Sequence, residues 1–168
     1  DMADRGPPRE IETLGQALEW KAREFGNQPF LQYRNEQRTY AELNRRVNAI
    51  ANGLESRGIE SGETVCLFMY NGLEYISLYF ALAKLGAVVV PIDTRFTGET
   101  LTAALEKSGA ETVFIDDRTR GTYEEVRTDL RDITSEYIVG KQPDSRRYRS
   151  FETLRSGNTE EPPDTDFR

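Results

Sequence analysis

Thr64-Val65-Cys66-Leu67-Phe68 opens the pattern that decides the fold of this chain. Three more runs of the same character follow: Ala87-Val88-Val89-Val90, Thr112-Val113-Phe114-Ile115 and Glu136-Tyr137-Ile138-Val139. Their first residues, 64, 87, 112 and 136, lie 23, 25 and 24 positions apart. Each run is short, β-prone and largely apolar, as a strand covered on both faces must be. The intervening segments, 73–85, 98–108 and 118–130, carry helical spacing. Strands and helices in alternation predict an α/β fold: a parallel four-stranded β-sheet with helices on both faces and right-handed crossovers. The helix at 73–85 is apolar nearly all round, so it is predicted to be buried on more than one side, by neighbours that this chain does not supply.

Upstream, Thr13-Leu14-Gly15-Gln16 and Thr39-Tyr40-Ala41-Glu42 have the S/T-x-x-E/Q form of capping boxes, and each predicts a helix start. The first helix carries Leu14, Leu18, Ala22 and Phe25 as one stripe and ends at Gly26-Asn27. Short strands at 30–33 and 37–40 flank a turn at Asn35-Glu36. The second helix is predicted to turn Leu43, Val47, Ile50, Ala51 and Leu54 inward, and Glu42, Arg45, Arg46 and Asn48 outward, with Gly58 as its stop. Residues 1–12 read as an irregular tail, 13–58 as helices and a hairpin, 59–140 as the βαβ unit, and 141–168 as a linker with a short helix at 150–156.

Composition narrows the function. The 168 residues hold 29 acidic and 22 basic side chains, a net charge of −7, which argues against a nucleic-acid groove. Histidine is absent, so histidine bases, Ser-His-Asp triads and most catalytic zinc sites are excluded. The lone cysteine, Cys66, sits within an apolar strand and reads as a buried, inert thiol; with no internal disulfide possible, a cytoplasmic location is expected. The 18 mostly apolar residues from 75 to 92 are interrupted by Lys84 and Gly86 and closed by Pro91, so no transmembrane segment is predicted.

Ligands of an open parallel sheet bind beyond the carboxyl ends of its strands. The first such loop, Tyr70-Asn71-Gly72-Leu73-Glu74, has one glycine where a dinucleotide fingerprint needs three; Asn71 reads instead as a helix N-cap, with Glu74 at the third helical position. No phosphate-binding G-x-x-x-x-G-K-[ST] loop is present. Asp116-Asp117 reads as an exposed acidic pair capping the next helix. Arg95, after Pro91-Ile92-Asp93, stands at the ligand-bearing edge. A guanidinium there is suited to a phosphate; the alternative is a surface arginine beside Asp93.

Arg38-Thr39-Tyr40-Ala41-Glu42-Leu43, Asn71-Gly72-Leu73-Glu74-Tyr75-Ile76 and Leu82-Ala83-Lys84-Leu85-Gly86-Ala87-Val88-Val89-Val90-Pro91-Ile92-Asp93 resemble, in order and spacing, the N-terminal portion of the adenylate-forming acyl-CoA synthetases. Ser150-Phe151-Glu152-Thr153-Leu154 resembles the segment before that family's phosphate loop, and Pro91 to Phe96 resembles the crotonobetaine/carnitine–CoA ligase-like branch, with Asp93 in place of the usual Asn; Pro-Ile-Asp there is also similar to peptide-synthetase adenylation domains. The resemblance implies a ligase that converts a carboxylic acid to acyl-CoA through an acyl-adenylate, using ATP, Mg and CoA. It implies that Arg95 faces the 3′-phosphate of CoA. It also implies that the phosphate loop lies past Arg168, so that the chain alone is inactive and binds no cofactor; the apolar helix at 73–85 separately predicts that the chain self-associates through exposed apolar surface. The competing expectation is a free-standing α/β binding module without catalysis.

Overall fold

The computed structural model describes residues 11–143 and 145–164. The elements are α1 (Leu14–Phe25), β1 (Pro29–Tyr33), β2 (Glu36–Thr39), α2 (Tyr40–Glu55), β3 (Thr64–Phe68), α3 (Leu73–Leu85), β4 (Val88–Pro91), α4 (Gly98–Ser108), β5 (Thr112–Asp116), α5 (Arg120–Val126), β6 (Ser135–Val139), β7 (Arg149–Ser150) and α6 (Glu152–Arg155). The expected tail at 1–12 falls almost wholly outside the described residues.

The sheet is parallel, in the order β4-β3-β5-β6-β7. Alternation along each strand divides its side chains between two cores. Val65, Leu67, Phe114 and Tyr137 face α1, α2, α3 and α6, whereas Cys66, Phe68, Val113, Ile115 and Ile138 face α4 and α5. Phe114 and Tyr137 stack across adjacent strands with centroids 4.6 Å apart. Helices thus cover both faces, as the apolar runs require. No helix among the described residues is long and apolar enough to cross a membrane.

Both capping boxes form. Gln16 N–H donates to Thr13 Oγ1 and Glu42 N–H to Thr39 Oγ1, while the Gln16 and Glu42 side chains accept from the cap N–H groups. A cap is decided within four residues, which is why spacing alone found both.

Among the described residues the sheet has five strands rather than four. Arg149 and Ser150 pair with Tyr137 and Ile138, and Phe151 N–H donates to Ile138 O at 2.9 Å, with Phe151 and Leu154 buried behind. Two residues carry no apolar run; the free edge of β6 and the anchoring of Phe151 make this strand. The helix expected over 118–130 is shorter, α5 followed by a 3-10 turn at Arg127–Asp129, because Thr119 is committed to the turn after β5. Asn71 is not a cap. Gly72 takes that position without any side-chain cap bond, and Glu74 pairs instead with Arg46 at 3.3 Å.

The environment of α3 departs from expectation in part, since Tyr75, Ile76, Tyr79 and Phe80 stay partly exposed. The hairpin, α1 and α2 supply much of its cover: Phe30 meets Phe80 and Tyr40, and Leu18, Leu43 and Val47 join Leu78 and Leu82 in one core. Lys84, which interrupts the apolar pattern in the sequence, is 4% exposed. Its ammonium pairs with Glu19 and donates to Asn44 Oδ1 at 2.8 Å and Asn48 Oδ1 at 2.7 Å. Burial pulls its pKa down, opposed by Glu19. Gly15 allows the approach of α1, since a Cβ there lies 2.9 Å from Lys84 Cγ. Asn48 therefore points inward, not outward, because Lys84 of α3 and a downstream segment cover it.

Candidate functional site

The chain enters the sheet at β3, steps out to β4, and returns across β3 to β5. The strand order reverses between β3 and β5, and the crevice beyond their carboxyl ends is where an open α/β sheet takes ligands. A cleft of about 340 Å³ lies there, lined by Arg34, Tyr70, Asn71, Asp116 and Arg118 among others.

Both aspartates of this cleft serve the backbone. Asp116 Oδ2 accepts from Tyr70 N–H at 2.8 Å, and its Oδ1 accepts from Arg118 N–H at 2.9 Å and Thr119 N–H at 3.0 Å. Thr119 Oγ1 donates to Phe68 O at 2.7 Å, tying the ends of β3 and β5 together. Asp117 Oδ2 accepts from Lys141 N–H at 3.0 Å. The acidic pair is therefore unlike the exposed cap expected: Asp116 is buried and laces two loops, while Asp117 is exposed and bonded to a third. Arg118 lies over the Tyr70 ring, 3.7 Å from its centroid, a stacking with no local signature because the partners are 48 residues apart.

The second feature of this edge is the loop after β4. Arg95 is exposed, and it folds back on Asp93. Its Nε donates to Oδ1 at 3.0 Å and to Oδ2 at 3.2 Å, its Nη2 donates to Oδ2 at 2.6 Å, and its backbone N–H reaches Oδ1 at 2.9 Å. These hydrogen bonds, side chain first and backbone next, hold the Asp93 carboxyl at about 2, so it is anionic at any physiological pH. The fork that suits a phosphate is thus already half occupied by a carboxylate, leaving the Nη1 edge. Arg95 fits a terminal phosphate in charge and exposure, with Asp93 as its competitor.

Cys66 is fully buried, and its thiol meets Ser108 Oγ at 3.2 Å. Burial raises its pKa, against the thiolate a nucleophile needs. Among the described residues no cluster of three acidic or cysteine side chains is placed to hold a metal ion.

Three comparisons bear on this arrangement. A family model described as AMP-binding enzyme matches residues 18–166. The chain is 41% identical over 75 residues to the long-chain-fatty-acid–CoA ligase FadD13 of Mycobacterium tuberculosis, covering 45% of this chain and 15% of that protein. It is 38% identical over 91 residues to the crotonobetaine/carnitine–CoA ligase of Salmonella typhimurium, covering 54% of this chain and 18% of that one. The inhibitor-bound N-terminal domain of FACL13 from Mycobacterium tuberculosis superposes with a TM-score of 0.79 at 27% identity, covering 94% of this chain and 38% of that chain. The chain spans less than a fifth of the length of either curated relative.

Proposed function

The chain belongs to the AMP-binding enzyme family, and from that premise we propose that it forms the N-terminal part of an ATP-dependent ligase that makes acyl-CoA through an acyl-adenylate. The observation that carries the reading is the family match over nearly the whole chain, with relatives named as CoA ligases. A carboxylate oxygen bonds to the α-phosphorus of ATP and pyrophosphate leaves; the CoA sulfur then bonds to the acyl carbon, AMP leaves with the C–O electron pair, and the thiol proton passes to solvent. On this reading ATP phosphates and Mg are held by chain beyond residue 168, and the 168 residues alone are inactive. The test is carboxylate-dependent exchange of pyrophosphate into ATP. Exchange is expected from the full-length enzyme and absent from residues 1–168; a full-length enzyme that exchanges with no carboxylic acid overturns the reading.

Arg95 is assigned to the 3′-phosphate of CoA. An exposed charge-assisted contact of this kind is expected to raise the KM for CoA about tenfold in Arg95→Ala while kcat holds. Asp93→Asn, which removes the competing charge, is expected to lower that KM. Steady-state kinetics with CoA, and with CoA lacking the 3′-phosphate, check both; equal KM values for the two thiols in the unsubstituted enzyme overturn the assignment.

Self-association belongs to the same proposal. β4 ends the sheet, its outer edge is unpaired among the described residues, and Val88 is 49% exposed. Tyr75, Ile76, Tyr79 and Phe80 of α3 are only partly covered. Residues 1–168 are expected to dimerise or to bind a hydrophobic dye. A dye-silent monomer in light scattering contradicts this.

A further inference from the structure

After α6 the chain runs back along α2, and α2 holds it by its main chain. Asn52 Nδ2 shares its two hydrogens among Asn48 O of its own helix at 2.9 Å, Thr159 O at 3.1 Å and Glu161 O at 2.9 Å. One turn earlier, Asn48 Nδ2 donates to Glu160 O at 2.9 Å. Just past the end of α2, Arg57 Nη2 donates to Thr153 O of α6 at 2.9 Å. Between them Gly53 lies flush against Leu154, whose carbonyl oxygen is 1.9 Å from the place a Cβ would take. The side chains of the strap contribute little: the Arg45–Glu160 pair is long, at 3.7 Å, and exposed.

The Asn48 amide has only one workable orientation. Its Oδ1 accepts from the Lys84 ammonium, a donor with no acceptor capacity, so Nδ2 must face Glu160. Asn48 is 2% exposed, and an amide buried that deeply is costly unless both its ends are bonded. Lys84 supplies one bond and the Glu160 carbonyl supplies the other. The strap is therefore part of what satisfies the polar cluster beneath it, and it is not a tail resting on the surface.

We propose that Asn48 and Asn52 form a carbonyl clamp that fixes the path of the chain over residues 159–161, and so act as positioning residues for the segment that continues from it. The clamp stands on the geometry alone; its catalytic consequence rests on the ligase reading, under which that segment leads to the residues that meet the ATP phosphates. Three successive carbonyls held by a helix set both the direction and the register of the exit. Because the two asparagines bond only main-chain oxygens, the clamp does not depend on the side chains at 159–161.

Asn52→Ala is the variant of choice, since Asn48 also serves Lys84. In residues 1–168, a glutamyl endoprotease is expected to cut the Glu160–Glu161 bond at least about tenfold faster in Asn52→Ala, and in the isosteric Asn52→Asp, while the unfolding transition of the sheet is retained. Unchanged cleavage overturns the clamp. In the full-length enzyme, Asn52→Ala is expected to raise the KM for ATP about tenfold in pyrophosphate exchange, with the KM for the carboxylic acid unmoved. Faster cleavage with an unchanged KM for ATP overturns the positioning role. Absence of exchange in the unsubstituted enzyme sinks the ligase reading and leaves the clamp to be judged by cleavage.

Discussion

Replacing Arg127 by alanine is expected to destabilise the chain by about 3–5 kcal/mol, the effect of stranding one partner of a buried ion pair. Arg127 Nε pairs with Glu136 Oε1, and the Glu136 side chain is 4% exposed. The remaining guanidinium nitrogens close the loop before β6: Nη1 donates to Leu130 O at 3.0 Å and Nη2 to Ile133 O at 3.1 Å. Glu136 Oε2 and Tyr123 Oη have no hydrogen-bond partner among the described residues. Burial first, and the Glu136 charge second, push the Tyr123 phenol above its ordinary pKa, so that it stays protonated. Removing Arg127 leaves a carboxylate in the α4–α5 core with no cation beside it. Urea denaturation reads the change as a lowered midpoint at constant m. The pair Arg127→Met with Glu136→Leu is expected to recover most of the loss, because an apolar replacement ends the need for compensation. A cost below about 1 kcal/mol for the single variant contradicts this account.

Gly53→Ala is expected to destabilise by about 1–3 kcal/mol, although helix propensity alone predicts a gain of about 1 kcal/mol. Gly53 lies within α2, where alanine is the better helix former. An added Cβ, however, would lie 1.9 Å from Leu154 O, 2.7 Å from its carbonyl carbon and 2.8 Å from its Cα. Those atoms are backbone, so no rotamer change relieves the contact, and α6 must move off α2. The control is Gly121 of α5, where nothing lies within 4 Å of the added Cβ. Gly121→Ala is expected to show the propensity gain alone. Thermal unfolding of the two variants should therefore shift in opposite directions. Equal stabilisation of both would mean that α6 does not pack on α2 in solution.

Part of the candidate site was legible in the sequence. Arg95 beside Asp93 was visible because their separation of two residues lets the contact form within a single turn of chain. The tie between Asp116 and Tyr70 was not, since it exists only once β3 and β5 are neighbours. Nor was the clamp: an asparagine on an otherwise amphipathic helix reads as a solvent-facing residue until the elements that cover it are in place.

The sequence by itself determined the alternation of strands and helices, the burial of β3 and β5 on both faces, and the starts of α1 and α2. Each of these depends on periodicity or on bonds closed within four residues. The tertiary structure alone decided that β4 lies on one side of β3 and β5 on the other, that β7 joins the sheet, and that Lys84, Asn48 and Glu136 are interior. Polar groups are read as outward by their hydration cost; only partners brought in by the fold, the distant Glu19 and residues 159–161 and the nearer Arg127 among them, supply the hydrogen bonds that reverse that sign.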